Sequence, residues 1–256
     1  MSASPPAAPG VAPGPAHVAL AEVDSTNAEG FRRAPALDRP TWILAGVQTA
    51  GRGRRARPWA SPRGNFHATL VLKPAEPPET LALRSFAAAL ALRDALGQLT
   101  GLPDCFSLKW PNDVLLNGGK LAGILLESSG LGTPEPVLCI GIGVNLIAAP
   151  DPARLDPGAV PPVALLAATG HRIAPEAFLA ALAPAYAARE AVLRTEGFGP
   201  LRAAWLAHAA RRGEVIRART GDQTREGIFD SIDAQGNLIL RMAHATVAIP
   251  AAEVFF

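Results

Sequence analysis

The sequence predicts an α+β protein: a mixed β-sheet packed with helices, followed by a small all-β domain. Three observations support this prediction. In the first half of the chain, short β-branched and apolar segments lie on either side of one long segment whose apolar residues recur at helical spacing. Two more helical stretches follow Pro150, and only short β segments with turns follow Gly213. We therefore expect a disordered Pro/Ala-rich tail over residues 1–16, one domain over 17–212 and a second over 213–256.

The first elements follow from residue type and spacing. "HVALAEV" from His17 predicts a short strand, and the oxygens of "DSTN" (24–27) mark a helix start. Thr26, followed three residues later by Glu29, fits a capping box, which places the N-cap at Thr26. The segments that predict the next two strands and the long helix are 41–49, 65–73 and 79–99.

A hairpin and a central strand come next. "NGG" (117–119) is a hairpin signal between "NDVLL" and "KLAGILLES", so Lys120 should lie just after a tight turn. "PVLCIGIGVNLI" is a continuous apolar run, as expected for a strand buried on both faces. Helices are then expected in 175–197 and 200–212, before the final β segments.

Composition limits the class of protein. Apolar residues make up 49% of the chain and charged residues 18%, which indicates a globular protein. The formal net charge is only +2, which argues against a general electrostatic attraction of the whole protein to nucleic acid. The N-terminus lacks the features of a signal peptide, and no run of about 18 apolar residues occurs. Cys105 and Cys139 lack a CxxC spacing and suggest buried free thiols. We expect a soluble cytoplasmic protein that does not enter membranes.

The stretch "AGRGRRARPWASPRG" (50–64) is the most unusual in the chain. Glycines let backbone N–H groups approach an anion, and its closely spaced arginines match phosphate or carboxylate oxygens. An ordinary basic surface loop is the alternative. The loop is longer than the roughly 2–5 residues a hairpin needs, which favours a mobile cover that is poorly ordered until an anion offsets the repulsion. Trp59 could stack on a base or belong to the core.

Three other clusters carry polar groups. Lysine occurs only at Lys73, Lys109 and Lys120, so the two lysines of "KWPNDVLLNGGK" are informative. Asn112 and Asp113 there suit either a turn or a hydrogen bond and a metal contact. The "DSTN" helix start could hold a polar ligand group, and "GIGVN" (141–145) lacks the third glycine of a dinucleotide fingerprint.

Together these segments resemble the biotin–protein ligases, also called biotin–acetyl-CoA-carboxylase ligases. The matching motifs are Ser25-Thr26-Asn27, "QTAGRGRRARPW" from Gln48, "KWPND" from Lys109, "KLAGILLE" from Lys120 and "GIGVN" from Gly141. The resemblance covers about residues 18–256 and implies a C-terminal SH3-like β-barrel. It implies an ATP- and Mg²⁺-dependent enzyme that forms biotinyl-5′-AMP and then biotinylates a lysine of a biotin carboxyl carrier protein.

The resemblance also implies roles for individual residues. Residues expected to bind biotin are Ser25, Thr26, Asn27, Gln48, Arg52, Gly53, Arg54, Lys120 and Gly123. Residues expected to bind ATP or the adenylate are Arg54, Arg55, Arg57, Trp59, Asn112 and Asn145. Lys120, between the carboxylate and the α-phosphate, and Arg52 would be catalytic, and Asp113 would contact Mg²⁺.

Two departures from the family pattern and two rival functions remain. Ala56 stands where the family usually has glycine, which costs about 1 kcal/mol if that position needs a positive φ. The arginine that often ends the family's C-terminal motif is absent. No DNA-reading element precedes Asp24, so we expect no nucleic-acid binding, and relatives occur as monomers and homodimers. The rivals are a lipoate–protein ligase and a basic nucleic-acid-binding module.

Overall fold

The computed structural model describes residues 15–133, 135–151, 158–250 and 252–255. All but the last two residues of the expected N-terminal tail lie outside the described residues. The strands are β1 Ala16–Leu20, β2 Thr41–Ala45, β3 Phe66–Leu72, β4 Phe106–Lys109, β5 Asp113–Leu116, β6 Gly119–Ser129, β7 Val137–Val144, β8 Val215–Thr220, β9 Gln223–Ile232, β10 Leu238–Arg241, β11 Thr246–Ile249 and β12 Glu253–Phe255. The α-helices are α1 Thr26–Arg33, α2 Pro78–Leu81, α3 Arg84–Thr100, α4 Leu165–Thr169, α5 Pro175–Glu196 and α6 Phe198–Ala207. Short 3₁₀ turns occur at Ala34–Ala36 and Pro103–Cys105, and the turn at Arg54–Ala56 has non-helical backbone angles.

The first seven strands form one mixed sheet in the order β1-β2-β3-β7-β6-β5-β4. Strand β1 runs parallel to β2, and every other neighbouring pair is antiparallel. All eight residues of β7 are buried, because the strand lies in the middle of the sheet and both of its faces are covered. The predicted mixed sheet and its apolar central strand are therefore confirmed.

Alternation along the strands divides the sheet into a core face and a site face. On β3, Phe66 and Leu70 point into the main core, where the Phe66 ring contacts Phe178 of α5 at 4.9 Å between centroids. Helix α1 covers part of the opposite face. A Cβ on Gly30 of α1 would stand 2.8 Å from Cys139 Sγ of β7, so this helix can approach the sheet only because position 30 is glycine.

The last five strands form an antiparallel sheet in the order β11-β10-β9-β8-β12. Within the described residues its edge strands do not pair with each other, so the sheet is open and the expectation of a closed barrel is corrected. This sheet packs against the first domain: Trp110 Nε1, between β4 and β5, donates to Gly236 O at 3.0 Å, and the ring of Trp205 on α6 lies 6.4 Å from that of Phe229 on β9. The second sheet is thereby held at a fixed place beside β4 and β5.

No helix in the described part of the chain has the length and apolarity needed to cross a bilayer. Both cysteines are free thiols, as expected. Cys139 is buried, and burial raises the pKa of its thiol to about 12, whereas Cys105 is only half-buried.

Candidate active site

The amino end of α1 carries the first group of site residues. Ser25 has an extended backbone, and its hydroxyl accepts from the Ala28 amide at 3.5 Å. Ser25 is therefore the N-cap, and the prediction of Thr26 as N-cap is wrong by one residue. Gln48 Oε1 accepts from the Thr26 amide at 2.8 Å and from its hydroxyl at 3.1 Å. These bonds tie the helix start to the segment that follows β2.

Buried hydrogen bonds fix the side-chain amide of Asn27. The Thr69 hydroxyl, on β3, lies 2.6 Å from Asn27 Oδ1 and 2.8 Å from the Thr26 hydroxyl. Because Asn27 Oδ1 can only accept, the single proton of Thr69 is donated to it. Asn27 Nδ2 then donates to Glu127 Oε2 at 2.8 Å and to Leu125 O at 3.4 Å. The amide is therefore held in one orientation.

Three glycines leave room for groups that lie flat on the site face. A Cβ on Gly141 would stand 2.4 Å from Asn27 Oδ1, and one on Gly143 would stand 2.4 Å from the Trp59 ring. A Cβ on Gly123, the register partner of Gly143, would meet the same ring at 3.2 Å. We call these three residues the glycine floor. Residues two apart on a strand are about 7 Å apart, so Asn27 and Trp59 lie side by side on it.

Trp59 covers the outer half of the glycine floor. It is half-buried on the site face and is not part of the core under the helices. Its indole Nε1 is buried without a hydrogen-bond partner, which is typical of a group completed by an ordered water or a ligand. Lys120 Nζ lies 5.7 Å from the ring centroid, within the range of a cation–π contact.

Lys120 meets a carboxylate across the β5–β6 hairpin. The turn residues Asn117 and Gly118 have φ values of 48° and 84°, which confirms the predicted tight turn. Lys120 Nζ lies 2.8 Å from Asp113 Oδ1, and Lys109 Nζ lies 3.9 Å from Asp113 Oδ2. Burial lowers the pKa of Lys109, and Asp113 opposes that shift. Two ammonium groups thus converge on one carboxylate beside the glycine floor.

Residues 51–59, which we call the arginine loop, lie between the lysines around Asp113 and the amino end of α1. Arg52 Nε and Nη2 each lie 3.2 Å from an oxygen of Glu127, the carboxylate that also accepts from Asn27. Gly51 allows the loop to pass close by, since a Cβ there would stand 2.7 Å from Ser61 Oγ. The helix start and the arginine loop therefore meet at Glu127.

The outer arginines of the loop reach the C-terminal sheet. Arg54 Nη1 donates to Ala252 O at 3.3 Å, and burial lowers the pKa of Arg54 despite the opposing charge of Asp113. Arg55 Nη1 lies 2.7 Å from Glu253 Oε2, and Arg57 pairs with Glu253 Oε1. The expected repulsion among the arginines is offset by acceptors that the protein itself supplies.

Each segment that was identified by its motif places at least one residue on the glycine floor or directly beside it, in the area that we call its rim. Asn112 Nδ2 donates to Ile124 O at 2.6 Å, Asn145 Nδ2 lies 3.5 Å from Lys120 O, and Gly53 N donates to Arg57 O at 2.8 Å. Their roles toward ligands stay predictions. Sequence reasoning did not single out four residues of the site and its rim, which are Ser61, Thr69, Glu127 and Glu253. Glu127 ends the quoted "KLAGILLE" motif and was therefore within reach of sequence reasoning.

The described residues do not form a site in which side chains alone would hold a metal ion. Asp113 is paired with Lys120 and Lys109, which compete with a cation for its oxygens. Among the described residues no group of three or more His, Cys, Asp and Glu side chains is arranged to hold a metal ion. The expected contact of Asp113 with Mg²⁺ stays a prediction.

Two regions of the chain match known families. Residues 19–145 match the biotin/lipoate A/B protein ligase family, and residues 213–256 match the biotin protein ligase C terminal domain. The first region contains the helix start, the arginine loop and all three residues of the glycine floor. The second contains Glu253.

Individual relatives agree with these matches. The chain is 56% identical over 237 residues to the biotin–[acetyl-CoA-carboxylase] ligase of Paracoccus denitrificans, covering 93% of this chain and 99% of that protein. It is 32% identical to the bifunctional ligase/repressor BirA of Bacillus subtilis, covering 84% of this chain and 65% of that protein. The solved biotin protein ligase from Aquifex aeolicus in complex with biotin and ATP has a TM-score of 0.78 at 25% identity, covering 93% of this chain and 97% of that one. Because both family regions are present in order and one relative is matched over almost its full length, this chain belongs to the biotin protein ligases of the biotin/lipoate A/B protein ligase family.

Proposed function

We propose that this chain is an ATP-dependent ligase that forms biotinyl-5′-AMP and transfers the biotinyl group to a lysine of a biotin carboxyl carrier protein. One observation carries the proposal: a neutral hydrogen-bonding group and a cationic group of side chains meet on a single glycine floor. The identity to the Paracoccus denitrificans biotin–[acetyl-CoA-carboxylase] ligase supports it.

The neutral group suits the ring end of biotin. A ureido group is uncharged, with N–H donors and a carbonyl acceptor, so it needs oriented partners rather than charge. Ser25, Thr26, Asn27 and Gln48 supply hydroxyl and amide groups, and all but Gln48 are buried. Because Thr69 and Glu127 already fix the Asn27 amide, little orientational freedom is lost when a ligand binds.

The cationic group suits the reacting end. The biotin carboxylate and the α-phosphate of ATP are both anions, and their approach is opposed by Coulomb repulsion. Lys120, which now pairs with Asp113 at 2.8 Å, would turn to these oxygens, and Arg52 would neutralise charge from the other side. A carboxylate oxygen then attacks the α-phosphorus while the bond to pyrophosphate breaks.

The second step uses the same groups. The lysine amine of the carrier attacks the acyl carbon of biotinyl-5′-AMP, the bond to AMP breaks, and the amine loses a proton. Trp59 and the arginine loop border the part of the floor beside which the mixed anhydride would lie, so they would limit its hydrolysis by water. Mg²⁺ enters this proposal as the ion that accompanies the ATP phosphates, and Asp113 is the side chain proposed to contact it.

Other features belong to the same proposal. We expect a cytoplasmic enzyme, which the two free thiols favour, acting as a monomer or a homodimer and without nucleic acid. We also keep the division into domains at 17–212 and 213–256. The start of β8 at Val215 supports it.

The test is to incubate the chain with biotin, MgATP and a biotin carrier domain and to measure the carrier's mass. The expected result is one biotinyl group on the carrier lysine. A carrier with Lys→Arg at its acceptor is the matched control and should gain no mass. Transfer of lipoate instead of biotin to the matching carrier would favour the lipoate–protein ligase and contradict the proposal.

A further inference from the structure

A carboxylate of the C-terminal sheet is surrounded by three guanidinium groups. Glu253 opens β12, and its side chain is only 15% exposed. Arg219, its register partner on β8, lies 2.6 Å from Glu253 Oε2, while Arg55 and Arg57 of the arginine loop bind the same carboxylate. Burial raises the pKa of Glu253, but hydrogen bonds from Arg219 and Arg57 outweigh it and hold the pKa at about 2. The carboxylate therefore stays charged at neutral pH.

The backbone between the two loop arginines is strained. Arg55 and Ala56 both have φ of 57°, in the left-handed region, and neither is glycine. A Cβ makes this conformation unfavourable for L residues. The turn is closed by the bond from Gly53 N to Arg57 O at 2.8 Å and by the bridge between Arg52 and Pro58. Something must offset the strain for this turn to persist.

We infer that Glu253 is a positioning residue: its carboxylate holds Arg55 and Arg57 on either side of Ala56 and keeps the arginine loop in its left-handed turn over the active site. The side chains of Arg55 and Arg57 are 44% and 49% exposed, so each ion pair alone would contribute little. Several cations on one half-buried carboxylate form a network, in which such pairs count for more.

We call the ion pairs of Glu253 with Arg55 and Arg57 the latch. This latch links the C-terminal sheet to the active site. The loop that Glu253 holds also carries Arg52, which binds Glu127, and Trp59, which covers the glycine floor. Release of the loop at Glu253 would therefore loosen the cover over the floor. The latch itself follows from the contacts alone, while its effect on the reaction intermediate rests on the proposed function.

Trypsin tests the latch without any ligand, because it cuts after the arginines of the loop. We expect the loop of Glu253→Gln to be cut roughly tenfold faster than that of the wild type. This change corresponds to a loss of about 1.4 kcal/mol in the free energy that favours the closed loop. Glu214→Gln is the matched control: it removes the same charge from the same domain and breaks an ion pair with Arg211 at 2.7 Å, yet should leave loop cleavage unchanged. Equal cleavage of Glu253→Gln and wild type would overturn the inference.

A second variant keeps the test decisive if Glu253→Gln destabilises β12. Ala56→Gly removes the Cβ from the strained turn and should slow loop cleavage roughly fivefold, both alone and combined with Glu253→Gln. Faster cleavage of Ala56→Gly than of wild type would show that the turn at Ala56 is not the state the latch preserves. That outcome would also overturn the inference.

A third measurement links the latch to catalysis. Wild type and Glu253→Gln are each given biotin and MgATP, and release of biotinyl-5′-AMP is followed by rapid gel filtration. Glu253→Gln should still form the intermediate but release it roughly tenfold faster. Faster cleavage with unchanged release would overturn the claim that the latch closes the site. A wild-type enzyme that formed no biotinyl-5′-AMP would instead contradict the proposed function and leave the trypsin result standing.

Discussion

Replacing Thr69 by Val removes one hydroxyl from the centre of the site and keeps the branched shape of the side chain. Thr69 is 0% exposed, and its proton is donated to Asn27 Oδ1 at 2.6 Å. In Thr69→Val the Asn27 oxygen stays buried and loses this donor. The amide of Asn27 would then be fixed only through its Nδ2 group, by Glu127 and Leu125 O.

The magnitude follows from that lost donor. A buried acceptor left unsatisfied costs about 1–3 kcal/mol, so the free energy of unfolding should fall by about 2 kcal/mol. For a chain of this length, that lowers the midpoint of thermal unfolding by roughly 4–8 °C. Because the Asn27 amide can then rotate, biotin should bind about tenfold more weakly, or about 1.4 kcal/mol.

Thermal unfolding and calorimetric titration with biotin measure these two effects separately. Thr41→Val is the matched control, since Thr41 is 2% exposed on the neighbouring β2 and its hydroxyl donates to Arg39 O at 3.0 Å. It should lose stability and keep its affinity for biotin. If Thr69→Val lost stability but bound biotin like wild type, Thr69 would serve the fold alone and the reasoning would be refuted.

Further substitutions test other parts of the site. Lys120→Ala should lower the rate of biotinyl-5′-AMP formation by roughly a hundredfold or more with a native circular-dichroism spectrum; an unfolded variant would mean that Lys120 is structural. Gly143→Ala places a Cβ 2.4 Å from the Trp59 ring and should displace the ring at a cost of about 1–3 kcal/mol, so that biotinyl-5′-AMP escapes faster in gel filtration; unaltered escape would contradict the role of Trp59 as a cover. Burial lowers the pKa of His67 below 6.5, so the unfolded chain binds more protons and stability is lost as the pH falls through that value. The free energy of unfolding in urea should therefore drop from about pH 7 to about pH 5 more in wild type than in His67→Phe, and equal drops would show that His67 does not contribute.

Local signals were enough for much of the fold. The "NGG" turn predicted the β5–β6 hairpin because a two-residue turn with positive φ at both positions favours Asn and Gly. The apolar run of β7 predicted a strand buried on both faces. The cap at α1 was misplaced by one residue, since Ser25 and Thr26 are both acceptable N-cap residues and only the backbone distinguishes them.

The residues that sequence reasoning missed depend on register and on distant contacts. Thr69 is a polar residue in the mostly apolar strand β3, and its place beside Asn27 follows only from the position of α1 on the sheet. Glu253 is far from the arginine loop in sequence, and its partners depend on how the second sheet packs against the first domain. That this second sheet is open also depends on long-range strand pairing, which local propensity does not encode.

The positive φ of Ala56 connects local backbone preference with long-range packing. The sequence predicted a cost if this position took the left-handed conformation, and the structure gives φ of 57° there. The neighbouring Arg55 and Arg57 are the residues that Glu253 holds. An unfavourable local choice is thus offset by a contact from the second sheet.

Exchange of labelled pyrophosphate into ATP tests the central claim most directly, because it reports the reversible activation of a carboxylate on the enzyme without any carrier protein. We predict exchange that depends on biotin, is absent with lipoate and is lost in Lys120→Ala. Binding of biotin without any such exchange, or exchange supported by lipoate instead, would contradict the account.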